Sequence, residues 1–148
     1  MKSYLITDPS HYGSTIQQLT KTLLHVINSK QIDYACFRDK TSLNFEELAA
    51  QFLHIVKNSS IKKSFLNSDY KLAHKLGFDG VHLTSSQFEK IEDALQLGLH
   101  VVVSTHSINE IKKLSQHNIF AFTFSPIFAT PNKGKPKGIS ELQKAITC

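Results

Sequence analysis

Six short apolar runs punctuate the chain. Each is followed by a polar or charged cluster and then by a stretch with apolar residues three or four positions apart. Short runs of this kind read as buried strands, and the 3.6-residue spacing reads as amphipathic helix. Strands are predicted over Ser3–Thr7, Tyr34–Phe37, Ser64–Leu66, Gly80–Leu83, His100–Val103 and Phe120–Phe124. Helices are predicted over Thr15–Asn28, from Asn44 onward, and over Asp69–Leu76, Ser86–Leu97, Ser107–His117 and Ser140–Ile146. The first carries Ile16, Leu19, Leu23, Val26 and Ile27 on one face. The second carries Phe45, Leu48, Ala49, Phe52, Ile55 and Val56, and the fourth is expected to bury Phe88, Ile91, Ala94 and Leu95. Asn44 with Glu47 three residues on predicts a capping box. Gly77 and Gly98 stand where the third and fourth helices should stop.

Strands alternate with helices and no hairpin signal appears, which predicts a parallel α/β architecture. In a parallel sheet all carboxyl ends lie along one edge. The clusters Thr7-Asp8, Arg38-Asp39-Lys40, Asn67-Ser68-Asp69, His82 to Gln87, Ser104-Thr105-His106 and Ser125 to Lys133 are therefore expected to converge on one site.

At 148 residues the chain is expected to form one domain, 1–148, and is short for a closed eightfold barrel of roughly 250 residues. Hydrophobic content of 41% and charged content of 20% fit a globular chain. An acidic residue, Asp8, comes too early for a secretory signal, and no apolar run reaches the roughly 20 residues of a membrane helix. The expected address is the cytoplasm. Two cysteines without a Cys-x-x-Cys spacing argue against a disulfide framework or a zinc knuckle. A net charge of +5 favours anionic partners, and a solvated surface accounts for most of the lysines.

The polar clusters, taken with the strands that carry them, resemble the thiamine phosphate synthase/TenI family. The matching residues are Tyr4-Leu5-Ile6-Thr7-Asp8, Arg38-Asp39-Lys40, Asn67 with Leu72-Ala73, and Gly80-Val81-His82-Leu83. Ser104-Thr105-His106-Ser107 and Ser125-Pro126-Ile127-Phe128-Ala129-Thr130, with Lys133 and Gly138, complete the set. They occur in family order over nearly the whole chain. The resemblance implies a (β/α) TIM-barrel-like fold of about six βα units, without the last two units of the family barrel. It implies a role in thiamine biosynthesis, with thiazole phosphate or pyrimidine pyrophosphate bound at the carboxyl edge. Synthase members join these two substrates, and TenI-type members include a thiazole tautomerase.

Leaving-group charge in the synthase reaction must be met by cations and hydrogen-bond donors. By resemblance Arg38, Lys40, Asn67, Ser104, Thr130 and Lys133 match positions that hold phosphate or pyrophosphate, with Thr105, Ser125 and Gly138 beside them. Arg38 offers a planar fork and Lys40 and Lys133 offer point charges. Arg38, Lys40 and His106 are the catalytic candidates. Three departures accompany the matches. The family's two Mg²⁺-binding carboxylates are Ser68 and Gln87 here, and Mg²⁺ wants anionic oxygen. Mg²⁺ is thus implied as a cofactor but weakly supported by the residues present. The glutamine two places before the arginine is Cys36, and the histidine of the tautomerase is Pro126.

Eight histidines are scattered without metal-ligand spacing, so no metal centre is indicated. His82 and His106, at strand ends, could meet at the site. No nucleic-acid motif and no aromatic interleaving accompany the basic segment 133–138. The expected partners are a phosphorylated small molecule and further copies of the chain joined through open sheet edges. Three function classes follow: an enzyme of synthase or thiazole-modifying type, a phosphate-ligand-binding or regulatory protein without turnover, and an interaction subunit without a ligand.

Overall fold

The computed structural model describes residues 2–131 and 134–148. Its strands are β1 (Tyr4–Ile6), β2 (Tyr34–Phe37), β3 (Lys63–Asn67), β4 (Gly80–Leu83), β5 (His100–Thr105) and β6 (Ala121–Phe124). Its helices are α1 (Pro9–Tyr12), α2 (Ile16–Ser29), α3 (Phe45–Lys57), α4 (Tyr70–Leu76), α5 (Ile91–Gln96), α6 (Ile108–Leu114) and α7 (Gly138–Ile146). A 3-10 turn, Phe88–Lys90, leads into α5. The strands follow chain order in the sheet, β1 to β6, the pattern of a TIM-barrel-like (β/α) fold. The chain divides into two compact units, one running to Val81 and one starting at His82.

In the first unit β1, β2 and β3 pair in parallel, with Ile6 opposite Cys36 and Cys36 opposite Phe65. Successive strand residues face opposite sides, so Cys36 and Phe37 look different ways. Phe37 packs its ring on Phe45 and Phe52 of α3, with centroids 5.4 and 5.5 Å away. Leu48, Ala49, Phe52 and Val56 are buried along the same helix, and Leu19 and Leu23 are buried on α2. On the other side Tyr4 meets Phe65 edge-on at 5.8 Å, and Cys36 is fully buried. At the amino-terminal edge Asp33 accepts from the Ser3 amide and pairs with Lys62 at 2.9 Å. The hydrogen bonds from Lys62 and the Ser3 backbone hold its carboxyl well below the usual range. Asp79 likewise accepts from the amide and hydroxyl of Ser64, both at 2.7 Å.

In the second unit β5 and β6 are parallel, with Ser104 opposite Thr123. Val101, Val102 and Val103 are all buried, so β5 is covered on both faces. Ile91, Ala94, Ile111 and Leu114 supply the helix side of this core. All four residues of β6 are half-buried, and α7 has no buried residue. Among the described residues, β1 has only β2 beside it and β6 only β5.

Several sequence expectations need correction. The capping box does not form at Asn44, whose side chain makes no capping hydrogen bond. Its backbone (φ −91°, ψ 39°) is not extended, as a side-chain cap requires. The box forms instead at Ser107, which is extended and exchanges hydrogen bonds with Glu110. The fourth helix is shorter than expected, and Phe88 and Leu95 are only half-buried. α6 ends at Leu114, where the Ser115 hydroxyl takes up the Lys112 carbonyl. The short α1 was not anticipated, although Asp8-Pro9 is a helix-start signal. α4 does stop at Gly77, whose φ of 84° would strain any side-chain-bearing residue.

The caps give a direct contrast. Ser107→Ala should cost about 1 kcal/mol in chemical denaturation. Asn44→Ala should stay within about 0.5 kcal/mol of the parent. Equal losses would show that the caps are assigned to the wrong residues.

Candidate functional site

In the first unit the carboxyl ends of β1 and β2 are clasped by Thr7. This threonine is buried; its hydroxyl donates to the Arg38 carbonyl (3.1 Å) and accepts from the Arg38 amide (2.9 Å). The clasp fixes where the Arg38 side chain starts. Its Nη1 then donates to Asp8 Oδ2 at 2.7 Å. The other Asp8 oxygen caps α1, accepting from the amide and hydroxyl of Ser10. Hydrogen bonds from Ser10, and then from the Arg38 guanidinium, hold the Asp8 carboxyl below its ordinary value. Arg38 is therefore an anchored cation with part of its charge already balanced. An open cleft of ≈ 890 Å³ runs beside this corner, past Ser10, His11, Tyr12, Lys21 and Thr41.

The neighbouring loop is shaped by Asp39. One of its oxygens accepts from the amides of Thr41 and Ser42, both at 2.9 Å. Burial alone would raise the Asp39 carboxyl, but hydrogen bonds from Ser42 and Thr41 win and lower it. Lys40 is exposed on this turn. After β3, the Asn67 amide donates to the Ser68 hydroxyl at 2.9 Å, and Ser68 takes a left-handed φ of 70°. Such a conformation in a serine costs of order 1–3 kcal/mol and is concentrated at functional sites. Asp69 caps α4 through the Leu72 amide.

The second unit builds a different cluster at its strand ends. His82 of β4 is buried, and its Nε2 lies 3.0 Å from the Ser104 hydroxyl of β5. The Thr123 hydroxyl of β6 donates to Ser104 Oγ at 3.3 Å and lies 3.5 Å from His82 Nε2. Ser104 and Thr123 face each other because the strands are in register there. Thr105 points elsewhere: it is fully buried and its hydroxyl donates to the Thr123 carbonyl. His106 is exposed at the end of β5. Its Nδ1 lies 2.9 Å from the Ser125 carbonyl, which can only accept, so Nδ1 carries the proton. His117, in the loop after α6, pairs with Glu92.

The segment after β6 starts at a cis Ser125–Pro126 bond. Its two ends are tied where Lys137 N donates to Pro126 O and Gly138 N to Ile127 O. The Lys137 ammonium sits 5.6 Å from the centre of the Phe124 ring. Thr130 is exposed and donates to Phe128 O, and Gly138 opens α7 with φ 78°. Lys133 lies outside the described residues.

The family described as thiamine monophosphate synthase (TMP-TENI) matches residues 3–147. The chain belongs to that family. A thiamine-phosphate synthase from Lactococcus lactis subsp. cremoris (strain MG1363) is 25% identical over 150 residues, covering 95% of this chain and 68% of that protein. A thiamine phosphate pyrophosphorylase from Pyrococcus furiosus superposes with a TM-score of 0.78 at 16% identity, covering 99% of this chain and 69% of that one. At that identity the superposition speaks for the fold.

The metal positions implied by the thiamine monophosphate synthase family can be tested on their donors. Ser68 is neutral and its hydroxyl receives the Asn67 amide. Gln87 spends its carbonyl oxygen on the amide and hydroxyl of Thr84. The acids Asp39 and Asp69 each hold a backbone amide in their own loops. Among the described residues no group of three His, Cys, Asp or Glu side chains is placed to hold a metal. This donor set does not fit Mg²⁺.

Sequence reasoning singled out Arg38, Asn67 and Ser104 but assigned no role to Thr7, Asp8 or Thr123. Thr7 and Asp8 stood in the first polar cluster; Thr123 sits inside an apolar run and gives no signal of its own. Cys36 is no amide substitute. Burial pushes its thiol up to about 12, and burial also raises the phenol of Tyr4 beside it. A thiol alkylating reagent should modify the exposed Cys148 in native protein and reach Cys36 only after unfolding. Rapid double labelling of folded protein would contradict the burial. Asp8 makes a pH prediction. Its folded value is depressed, so the stability it adds is complete above the ordinary 3.8 and drains away as pH falls through the folded value. Asp8→Asn should flatten the fall of the thermal midpoint in acid; superimposable acid profiles would rule the contribution out.

Proposed function

We propose that this family member binds a phosphorylated intermediate of thiamine assembly, thiazole phosphate or pyrimidine pyrophosphate. The observation that carries the reading is the His82–Ser104–Thr123 cluster at the strand ends, with Ser104 at a family phosphate position. A half-buried hydroxyl steered by two neighbours is a pre-organised donor for an anionic oxygen. In the other unit Arg38, held by Asp8, and Lys40 and Asn67 offer cationic and amide donors. The basic balance of +5 favours the same class of ligand. The reading places the protein in the cytoplasm and needs neither nucleic acid nor membrane. Among the described residues no helix is long and apolar enough to cross a bilayer.

A second reading shares the ligand but not Mg²⁺-dependent turnover. It is favoured by Ser68 and Gln87, whose oxygens are neutral and already engaged. The chain would then act as a phosphate-ligand-binding or regulatory protein, or as a TenI-like thiazole tautomerase. The half-exposed β6 and the exposed Ile6 at the end of β1 support association of copies through the sheet edges.

Calorimetric titration with thiazole phosphate and with inorganic pyrophosphate tests the common part. Binding of at least one is expected, and Ser104→Ala should weaken it by about 1–3 kcal/mol. No heat from either ligand would refute the proposal. A turnover assay with both substrates separates the two readings. Product formation stimulated by Mg²⁺ supports the synthase, and its absence supports the second reading.

A further inference from the structure

We propose that His82 is a positioning residue whose Nε2–H aims the Ser104 proton at a bound anion. The inference rests on the phosphate-binding reading above and adds a proton requirement to it.

A serine hydroxyl has one proton to give and two lone pairs to receive with. One lone pair of Ser104 takes the Thr123 proton, across 3.3 Å. The rest depends on Nε2 of His82, at 3.0 Å. When Nε2 lacks a hydrogen, it accepts the only Ser104 proton. The remaining Ser104 lone pair would then face a ligand and repel an anionic oxygen. When Nε2 carries a hydrogen, it fills the second Ser104 lone pair. The Ser104 proton is then free, and an anion is the acceptor it suits.

The position of Thr123 supports the second arrangement. Its hydroxyl oxygen lies 3.5 Å from the same Nε2. With the Thr123 proton committed to Ser104, only an Nε2–H can use that contact, as the minor branch of a forked hydrogen bond. The geometry is held from several sides. His82 is only 6% exposed. The β5–β6 pairing is pinned by the Thr105 hydroxyl on Thr123 O and by the Ser125 amide on Thr105 O. Anion binding and Nε2 protonation are therefore coupled, each favouring the other by the same factor.

The test uses inorganic pyrophosphate as the probe. In wild-type protein saturated with it, ¹⁵N spectra should show a protonated His82 Nε2; an unprotonated Nε2 with pyrophosphate bound overturns the proposal. His82→Gln, whose amide can place an N–H near Nε2, should keep affinity within about threefold, whereas His82→Phe should lose at least ~10-fold. Equal affinity of His82→Phe and wild type overturns the proposal, and equal loss in both variants does the same. Because the ¹⁵N measurement needs no substitution, a variant that fails to fold does not decide the matter. Wild-type protein that ignores pyrophosphate but binds thiazole phosphate is read with thiazole phosphate as the probe. Wild-type protein that binds neither refutes the phosphate-binding reading itself, and this inference with it.

Discussion

The register between β5 and β6 is the constraint on which the second unit's chemistry depends. Side chains alternate along a strand, so a slip of one residue would swing Thr123 to the opposite face of the sheet. Ser104 would lose its donor and His82 its second neighbour. The register is enforced on the side away from the cluster by the buried Thr105 hydroxyl on Thr123 O, and the three buried valines hold β5 from both faces. Thr105, one of the phosphate-site candidates in the sequence, thus serves the residue next to it by locking the strands.

The first unit works by a comparable economy. Thr7 joins two strand ends with one hydroxyl, and Asp8 uses one oxygen for a helix cap and the other for Arg38. A carboxylate with both oxygens occupied stays ionised and keeps its arginine in place. The donors at the metal positions are neutral: Ser68 receives the Asn67 side chain, and Gln87 holds the Thr84 amide. The chain keeps the family fold while offering neutral oxygens at Ser68 and Gln87.

Much of the fold was legible in the sequence because long amphipathic stretches and short apolar runs obey different periods. β2 and β4 fall at the expected residues, and the whole predicted stripe of α3 is in or beside the core. Local geometry was harder to read. The capping box was expected at Asn44 and formed at Ser107, because a cap depends on backbone angles that residue type does not dictate. α1 is four residues long, too short for any periodicity. The candidate site shows the same division. Charged and amide residues such as Arg38 and Asn67 announce themselves. Thr7 and Thr123 become interesting only when strand pairing sets them opposite partners 31 and 19 residues away.

The central claim is that an anion docks on the hydroxyl pair at the ends of β5 and β6. Amide chemical-shift mapping during titration with inorganic pyrophosphate tests it most directly. The account predicts saturable shifts concentrated at Ser104, Thr105 and the Thr123–Ser125 stretch. Amide signals that do not move there at saturating pyrophosphate, while those of some other surface do, would contradict it.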